Sequence, residues 1–174
     1  MEDARSAAEG TKAAKAAADT VYTLCVTLID GPMRDAFLQK NPVVSRTIEV
    51  HADQDLDELH CAIRQAFDWD EDHCWGFQIG GTRSQARKAI HYGMEEADGG
   101  PWGPMLRLAE GATLMTLGLR TRSRFFYLYD FGASWWHEIR VVKTDHLPRK
   151  VRLPRVVARV GKNPPQYPNA EDGW

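Results

Sequence analysis

From Val21 to Ile29 apolar and polar side chains alternate: Tyr22, Leu24, Val26 and Leu28 share one side, and Thr23, Cys25 and Thr27 the other. A period of two predicts a strand. Asp30-Gly31-Pro32 breaks it, Met33 to Lys40 has room for a helical turn, and Asn41-Pro42 closes the connection. Val43 to Val50 predicts a second strand, with Val44, Ile48 and Val50 in phase. The period then changes. Leu56, Leu59, Ile63, Ala66 and Phe67 recur at helical spacing, and Asp55 stands three residues before Glu58 in a capping-box arrangement. Asp57 and Glu58 occupy the first turn, where the helix dipole favours negative charge. An acidic loop, Asp68 to Asp72, ends the helix. Trp75 to Ile79 predicts a third strand, terminated by Gly80-Gly81.

Residues 82–113 carry no sustained period. Ser84 to His91 is a candidate short basic helix, and Gly99-Gly100-Pro101 and Gly103-Pro104 impose loops. Thr113 to Leu119 is apolar without a legible type, and Arg120 to Arg124 reads as a basic turn. Residues 125–131 are then apolar on both alternating faces, Gly132-Ala133-Ser134 supplies a turn, and Trp135 to Val142 returns. This is an aromatic β-hairpin buried on two sides. Phe126, Tyr127, Leu128, Tyr129 and Phe131 are expected in the core, with Asp130 hydrogen-bonded at the strand end. Beyond His146, Pro148, Pro154, Pro164, Pro165 and Pro168 predict an extended tail laid across the domain. The order β-β-α-β, then hairpin and tail, predicts an α+β fold, for which a β-grasp-like arrangement is one candidate. The expected organisation is an alanine-rich leader over residues 1–20, frayed or disordered, one α+β domain over 21–168, and a tail at 169–174.

The 174 residues are 43% hydrophobic and 26% charged, with a formal net charge of −2. That balance gives no global electrostatic case for nucleic acid or an anionic membrane. No apolar run approaches the roughly 20 residues of a membrane span. Cys25, Cys61 and Cys74 are odd in number and lack CxxC spacing, so a reducing cytoplasmic setting is expected, without a disulfide framework or zinc knuckle. The charge is unevenly placed. Asp53, Asp55, Asp57, Glu58, Asp68, Asp70, Glu71 and Asp72 face Arg64 alone within residues 53–72; Lys143, Arg149, Lys150, Arg152, Arg155, Arg159 and Lys162 face Asp145 alone within 143–162. Either these segments approach each other or are solvated apart, or they form a bipolar binding surface.

Several segments together resemble the plasmid pRiA4b ORF-3-like family, bacterial proteins labelled transposon-linked, TnpR-like or of unknown function. They are Tyr22-Thr23-Leu24-Cys25-Val26, Ser45-Arg46-Thr47-Ile48-Glu49-Val50, Asp55-Leu56-Asp57-Glu58-Leu59-His60, Ala66-Phe67-Asp68 and Asp72-His73. The most specific are Tyr129-Asp130-Phe131-Gly132 and Trp135-Trp136-His137, followed by Pro154-Arg155-Val156, Arg159-Val160-Gly161-Lys162 and Pro164-Pro165-Gln166-Tyr167-Pro168. The resemblance runs from about Tyr22 to about Pro168 and implies a mobile-element context without a settled activity. The chain departs from the family pattern at Ala133 and Gly76, where the family tends to carry acids; both changes remove acidic groups near the histidines.

His73, Asp130, Trp135, Trp136 and His137 form the candidate binding surface. A metal-dependent enzyme would place its ion near His73 and His137, with Asp130 or Glu138 as further ligands. Against it stand the absence of HxxxH or HExxH spacing and the alternation of a strand, which points His137 and Glu138 to opposite faces. The same alternation sends only one of Trp135 and Trp136 inward. Asp130 reads as an acceptor for turn amides, a structural clamp. His60 flanks the helix stripe as a hydrogen-bonded boundary residue. Ser134 lacks a nucleophile elbow, and neither GxxxxGK[ST] nor GxGxxG occurs. Arg120, Arg122 and Arg124 alternate and, with Arg155 and Arg159, are candidate nucleic-acid contacts. The leading expectation is therefore a cytoplasmic binding or accessory module without catalytic residues, metal or cofactor. Its partner is unknown, a protein or a nucleic acid rather than a membrane.

Overall fold

A computed structural model describes residues 19–70, 73–94, 100–146 and 150–168. The alanine-rich leader up to residue 18 and the segment 169–174 lie outside the described residues. In chain order the elements are β1 (Thr20–Asp30), α1 (Asp35–Lys40), β2 (Ser45–His51), α2 (Leu56–Ala66) and β3 (Trp75–Ile79). β4 (Ile90–Gly93), β5 (Leu106–Leu108), β6 (Arg124–Tyr129), β7 (Trp135–His146) and β8 (Arg155–Val160) complete them. All strands join one sheet in the order β5-β4-β3-β6-β7-β1-β2-β8. Every neighbouring pair is antiparallel except β4 and β5.

The expected α+β layout, with its β-grasp-like candidate, is thereby corrected: the described residues form a large mixed eight-stranded sheet with two short α-helices. Three segments carry the difference. Within the proposed basic helix only Ala86–Lys88 makes a 3₁₀ turn, and the chain then pairs with β3 through Phe77↔Tyr92 and Gln78↔His91. Leu106–Leu108 lies parallel to β4. The tail also becomes a strand, with Val156 opposite Ile48 and Arg155 opposite Glu49. Backbone ladder bonds outweighed weak local propensity in each case.

The alternation in β1 holds. Leu24, Val26 and Leu28 point toward the helix side together with Ile48, Val50, Phe125, Tyr127, Tyr129, Trp135, Ile139 and Val141, all buried. α2 covers this face with Leu56, Leu59, Ile63 and Ala66. Its start follows the sequence reading: Asp55 Oδ1 accepts from Glu58 N at 3.0 Å, and Glu58 Oε2 accepts from Asp55 N at 3.0 Å. Asp55 Oδ2 also accepts from Gly111 N at 2.9 Å, tying the loop before β6 to the helix. Asp55→Ala is expected to cost about 1–2 kcal/mol, the upper part of the range for losing an N-cap, because a loop amide is orphaned as well. A urea midpoint unchanged by this substitution would contradict the cap's role.

Phe126, Tyr127, Leu128 and Tyr129 are buried as expected, but Phe131 is only half-buried. The strand ends at Tyr129, so Phe131 lies in the turn and packs over Gly100 and edge-on to Trp102 at 5.7 Å.

Candidate functional site

The turn between β6 and β7 is held by Asp130. Its backbone takes a left-handed conformation, φ 54°, and Oδ1 accepts from the amides of Gly132 and Ala133, both at 3.0 Å. Its other oxygen, Oδ2, lies 3.4 Å from His73 Nδ1. His73 Nε2 in turn meets the Tyr167 hydroxyl in a short hydrogen bond. Gln166 Nε2 donates to Tyr167 Oη at 3.0 Å and to Tyr129 Oη at 3.3 Å, while Gln166 Oε1 accepts from Asp70 N at 2.7 Å. Tyr129 donates its own hydroxyl hydrogen to Asp70 O. The donors balance when Tyr167 donates to His73 Nε2 and the imidazole keeps its hydrogen on Nδ1, toward Asp130. The arrangement therefore straps residues 166–167 over the hairpin turn. Tyr167 was legible in the sequence as part of the tail but not as a partner of His73.

The five residues of the expected binding surface do not converge. His73 and Asp130 meet at the turn, whereas Trp135 and His137 point into the core and are fully buried. Trp135 packs on Trp69 at 5.1 Å and fills the space that a Cβ at Gly31 would need. His137 is walled by Phe67, Trp69 and Tyr127, with ring centroids 4.9–5.3 Å away. Neither of its ring nitrogens meets a partner at full hydrogen-bond geometry, although the Tyr127 and Trp135 backbones lie close enough to favour the charged form slightly. Burial dominates and lowers its pKa to about 3. His60 is likewise internal: it stacks on Trp75 at 3.9 Å and bonds Tyr127 Oη through Nδ1 at 2.7 Å. Among the described residues no three His, Cys, Asp or Glu side chains gather in a way that could hold a metal ion.

Trp136 emerges on the opposite face of the sheet, as alternation requires. Arg83 lies 4.8 Å above its ring, and the Trp102 ring meets it edge-on at 6.1 Å. A cavity of about 650 Å³ opens here, lined by Trp136, Phe126, Arg83, Arg124 and Glu138 together with the 81–84 loop. Beside it, Arg122, Arg140 and Glu138 line a second depression of about 380 Å³. Glu138 is the shared carboxylate, 3.7 Å from Arg124 Nη1 and 3.2 Å from Arg140 Nη2. Arg83 is held by Asp30 at 2.5 Å. Gln78 is buried between Phe126 and His91, its cross-strand partners; its Nε2 donates to Thr82 O at 2.8 Å, and its Oε1 has no partner.

The five arginines proposed as one strip divide as well. Arg120 to Ser123 form a turn, with Arg122 at φ 75°, so these residues do not run as an extended row. Arg122 and Arg124 nevertheless reach the outer face, joined by Arg83 and Arg140. Arg140 was recoverable from its spacing to Trp136 and Glu138 on one strand; Arg83, in a loop, carried no such signal. Arg155 and Arg159 sit on β8, with β7, β1 and β2 between them and β6. Arg155 pairs with Glu49 at 2.7 Å and Arg159 donates to Ala66 O at 2.5 Å.

Gly76, read as a lost acid, has a steric explanation: a Cβ there would overlap the Trp102 ring, which lies on the outer face of β3. No helix among the described residues is long and apolar enough to cross a membrane.

A curated relative, the uncharacterised protein y4hQ of Sinorhizobium fredii, is 27% identical over 104 residues, covering 59% of this chain. The chain spans about half of that relative's length, 48%. A crystal structure of a protein of unknown function, MM3350 of Methanosarcina mazei Go1, superimposes with a TM-score of 0.58 at 24% identity, over 80% of this chain and 68% of the other. That likeness concerns the fold. Residues 36–172 match the profile of the plasmid pRiA4b ORF-3-like proteins, and the chain belongs to that family.

Proposed function

We propose that this chain is a cytoplasmic, mobile-element-associated binding module without catalytic chemistry of its own, and that the outer face of its sheet receives an anionic partner, single-stranded nucleic acid. The observation carrying this reading is the grouping of Arg83, Arg122, Arg124 and Arg140 around Trp136 and Phe126 on one sheet face. Glu138 and Asp30 offset part of that charge, which leaves the face net positive. Aromatic rings on a sheet offer stacking surfaces for unpaired bases, and guanidinium groups contact phosphates. The 650 Å³ cavity has the size of a small-molecule or nucleotide pocket. No disulfide joins Cys25, Cys61 and Cys74, in keeping with a reducing compartment.

Fluorescence anisotropy with a labelled decathymidylate tests the reading. Binding is expected to weaken as salt rises, with a slope of roughly −0.7 per phosphate contacted. The double variant Arg124→Glu, Arg140→Glu should lose at least about tenfold in affinity and flatten that slope. Trp136→Ala should weaken binding by about 1–3 kcal/mol through lost stacking. An affinity insensitive to salt, or untouched by the double charge reversal, would exclude this face as the contact surface.

A further inference from the structure

On the other side of the molecule, α2 and the edge strand β8 enclose a groove of about 380 Å³. Ile48, Ala62 and Val156 contribute its apolar surface, and Cys61 also lines it. This is where the acidic and basic stretches of the sequence approach each other, and they do not neutralise each other fully. Asp57, in the first turn of α2, has no basic partner among the described residues. Its pKa is raised by desolvation and then by the neighbouring carboxylates of Asp55, Glu110 and Glu58. At the far end, Arg159 has no carboxylate partner among the described residues and donates to Ala66 O at 2.5 Å. Arg46 Nε donates to the same carbonyl at 3.1 Å, so two guanidinium groups crowd the end of the helix. Arg155, which also lines the groove, is already paired with Glu49 through Nε at 2.8 Å and Nη2 at 2.7 Å. The groove thus presents carboxylates at one end, Asp57 without a basic partner beside Glu58, a guanidinium without a carboxylate partner at the other, and apolar surface between.

We propose that this groove is a binding site for a short peptide with free ends, about three residues in extended form. Its terminal ammonium lies at Asp57, its terminal carboxylate at Arg159, and an apolar side chain on the Ile48–Val156 surface. The length follows from the helix: Ala66 is nine positions beyond Asp57, which is roughly 13 Å of rise. An extended tripeptide spans about 10 Å, and the two charged side chains reach inward to meet it. The site is separate from the outer sheet face, and its test does not depend on nucleic acid.

The probe is Ala-Leu-Ala with free termini, compared by calorimetry with its N-acetylated and C-amidated forms. Blocking either end should weaken binding by at least about tenfold, since each block removes a charge-assisted contact. Asp57→Asn should abolish the penalty for acetylation while keeping the penalty for amidation; this variant leaves the helix cap at Asp55 intact. Location is read from alkylation by N-ethylmaleimide: saturating tripeptide should slow modification of Cys61 and leave exposed Cys74 unchanged. The proposal is overturned by equal binding of free and blocked peptides, by saturation without protection of Cys61, or by no heat of binding at several millimolar tripeptide.

Discussion

Replacing Trp135 by alanine is expected to remove about 3–5 kcal/mol of stability, the cost of truncating a large, fully buried aromatic and leaving a cavity. That is a large share of the roughly 5–15 kcal/mol available to a typical domain. Trp135 is 0% exposed and belongs to an aromatic layer with Trp69, Phe67, His137 and Tyr129. Its ring also occupies the space over Gly31, at the end of β1, so no neighbour stands ready to collapse into the hole. Phe131 has the same hydrophobic character in the sequence but a different fate. It is half-buried in the turn, and Phe131→Ala should cost about half as much or less, because less apolar area leaves water to begin with. Urea denaturation of the two variants decides the matter. If Phe131→Ala lost as much as Trp135→Ala, the turn rather than the inner aromatic layer would be the centre of the core.

The contrast between Trp135 and Phe131 shows what periodicity can and cannot carry. Alternation correctly divided Trp135 from Trp136 and His137 from Glu138, because a strand has only two faces. It said nothing about where the strand ends, and the β6 ladder stops at Tyr129, two residues before Phe131. β1, α2 and β3 were legible for related reasons: each has a long or clean period and a chemical stop, the Asp55 cap or the Gly80-Gly81 pair. β4, β5 and β8 were not. β5 is a three-residue strand whose partner, β4, lies more than ten residues away in sequence. β8 reads as a charged, proline-flanked tail because its residues are largely exposed on the sheet edge, and only the facing strand β2 makes it a strand. Those three strands are what separates the mixed eight-stranded sheet from the expected α+β fold. The same limit applies to the sites. Asp130 was legible as a turn acceptor, since its role is local. Its neighbour His73, Tyr167 in the tail, and Arg83 above Trp136 are joined only by tertiary structure.

Acid should destabilise this fold well before its carboxylates titrate, and the source is internal histidine. His60 is held neutral by burial and then by nearby Arg64, with its pKa lowered to about 3; its ring lies flat on Trp75 and its Nδ1 bonds the Tyr127 hydroxyl. His137 is lowered to about 3 by burial among Phe67, Trp69 and Tyr127. In the unfolded chain both titrate near 6.5. The unfolded state therefore binds protons that the folded state refuses, and stability is present in full above pH 6.5 and falls as pH drops from there toward 3. At pH 5, about 1.5 units below the unfolded pKa, each imidazole costs about 2 kcal/mol, so the pair removes about 4 kcal/mol. His91, buried beneath Trp102 with its pKa also lowered by desolvation, adds in the same direction. Asp57, whose pKa is raised by desolvation and neighbouring carboxylates, acts with the opposite sign and offsets part of this fall. Urea midpoints measured from pH 7 to pH 5 should fall steeply. His137→Phe should flatten that dependence by about one proton, whatever it does to stability at pH 7. A midpoint unchanged between pH 7 and pH 5 would mean that the interior admits protonated histidine, and the packed aromatic environment assigned to His60 and His137 would be wrong.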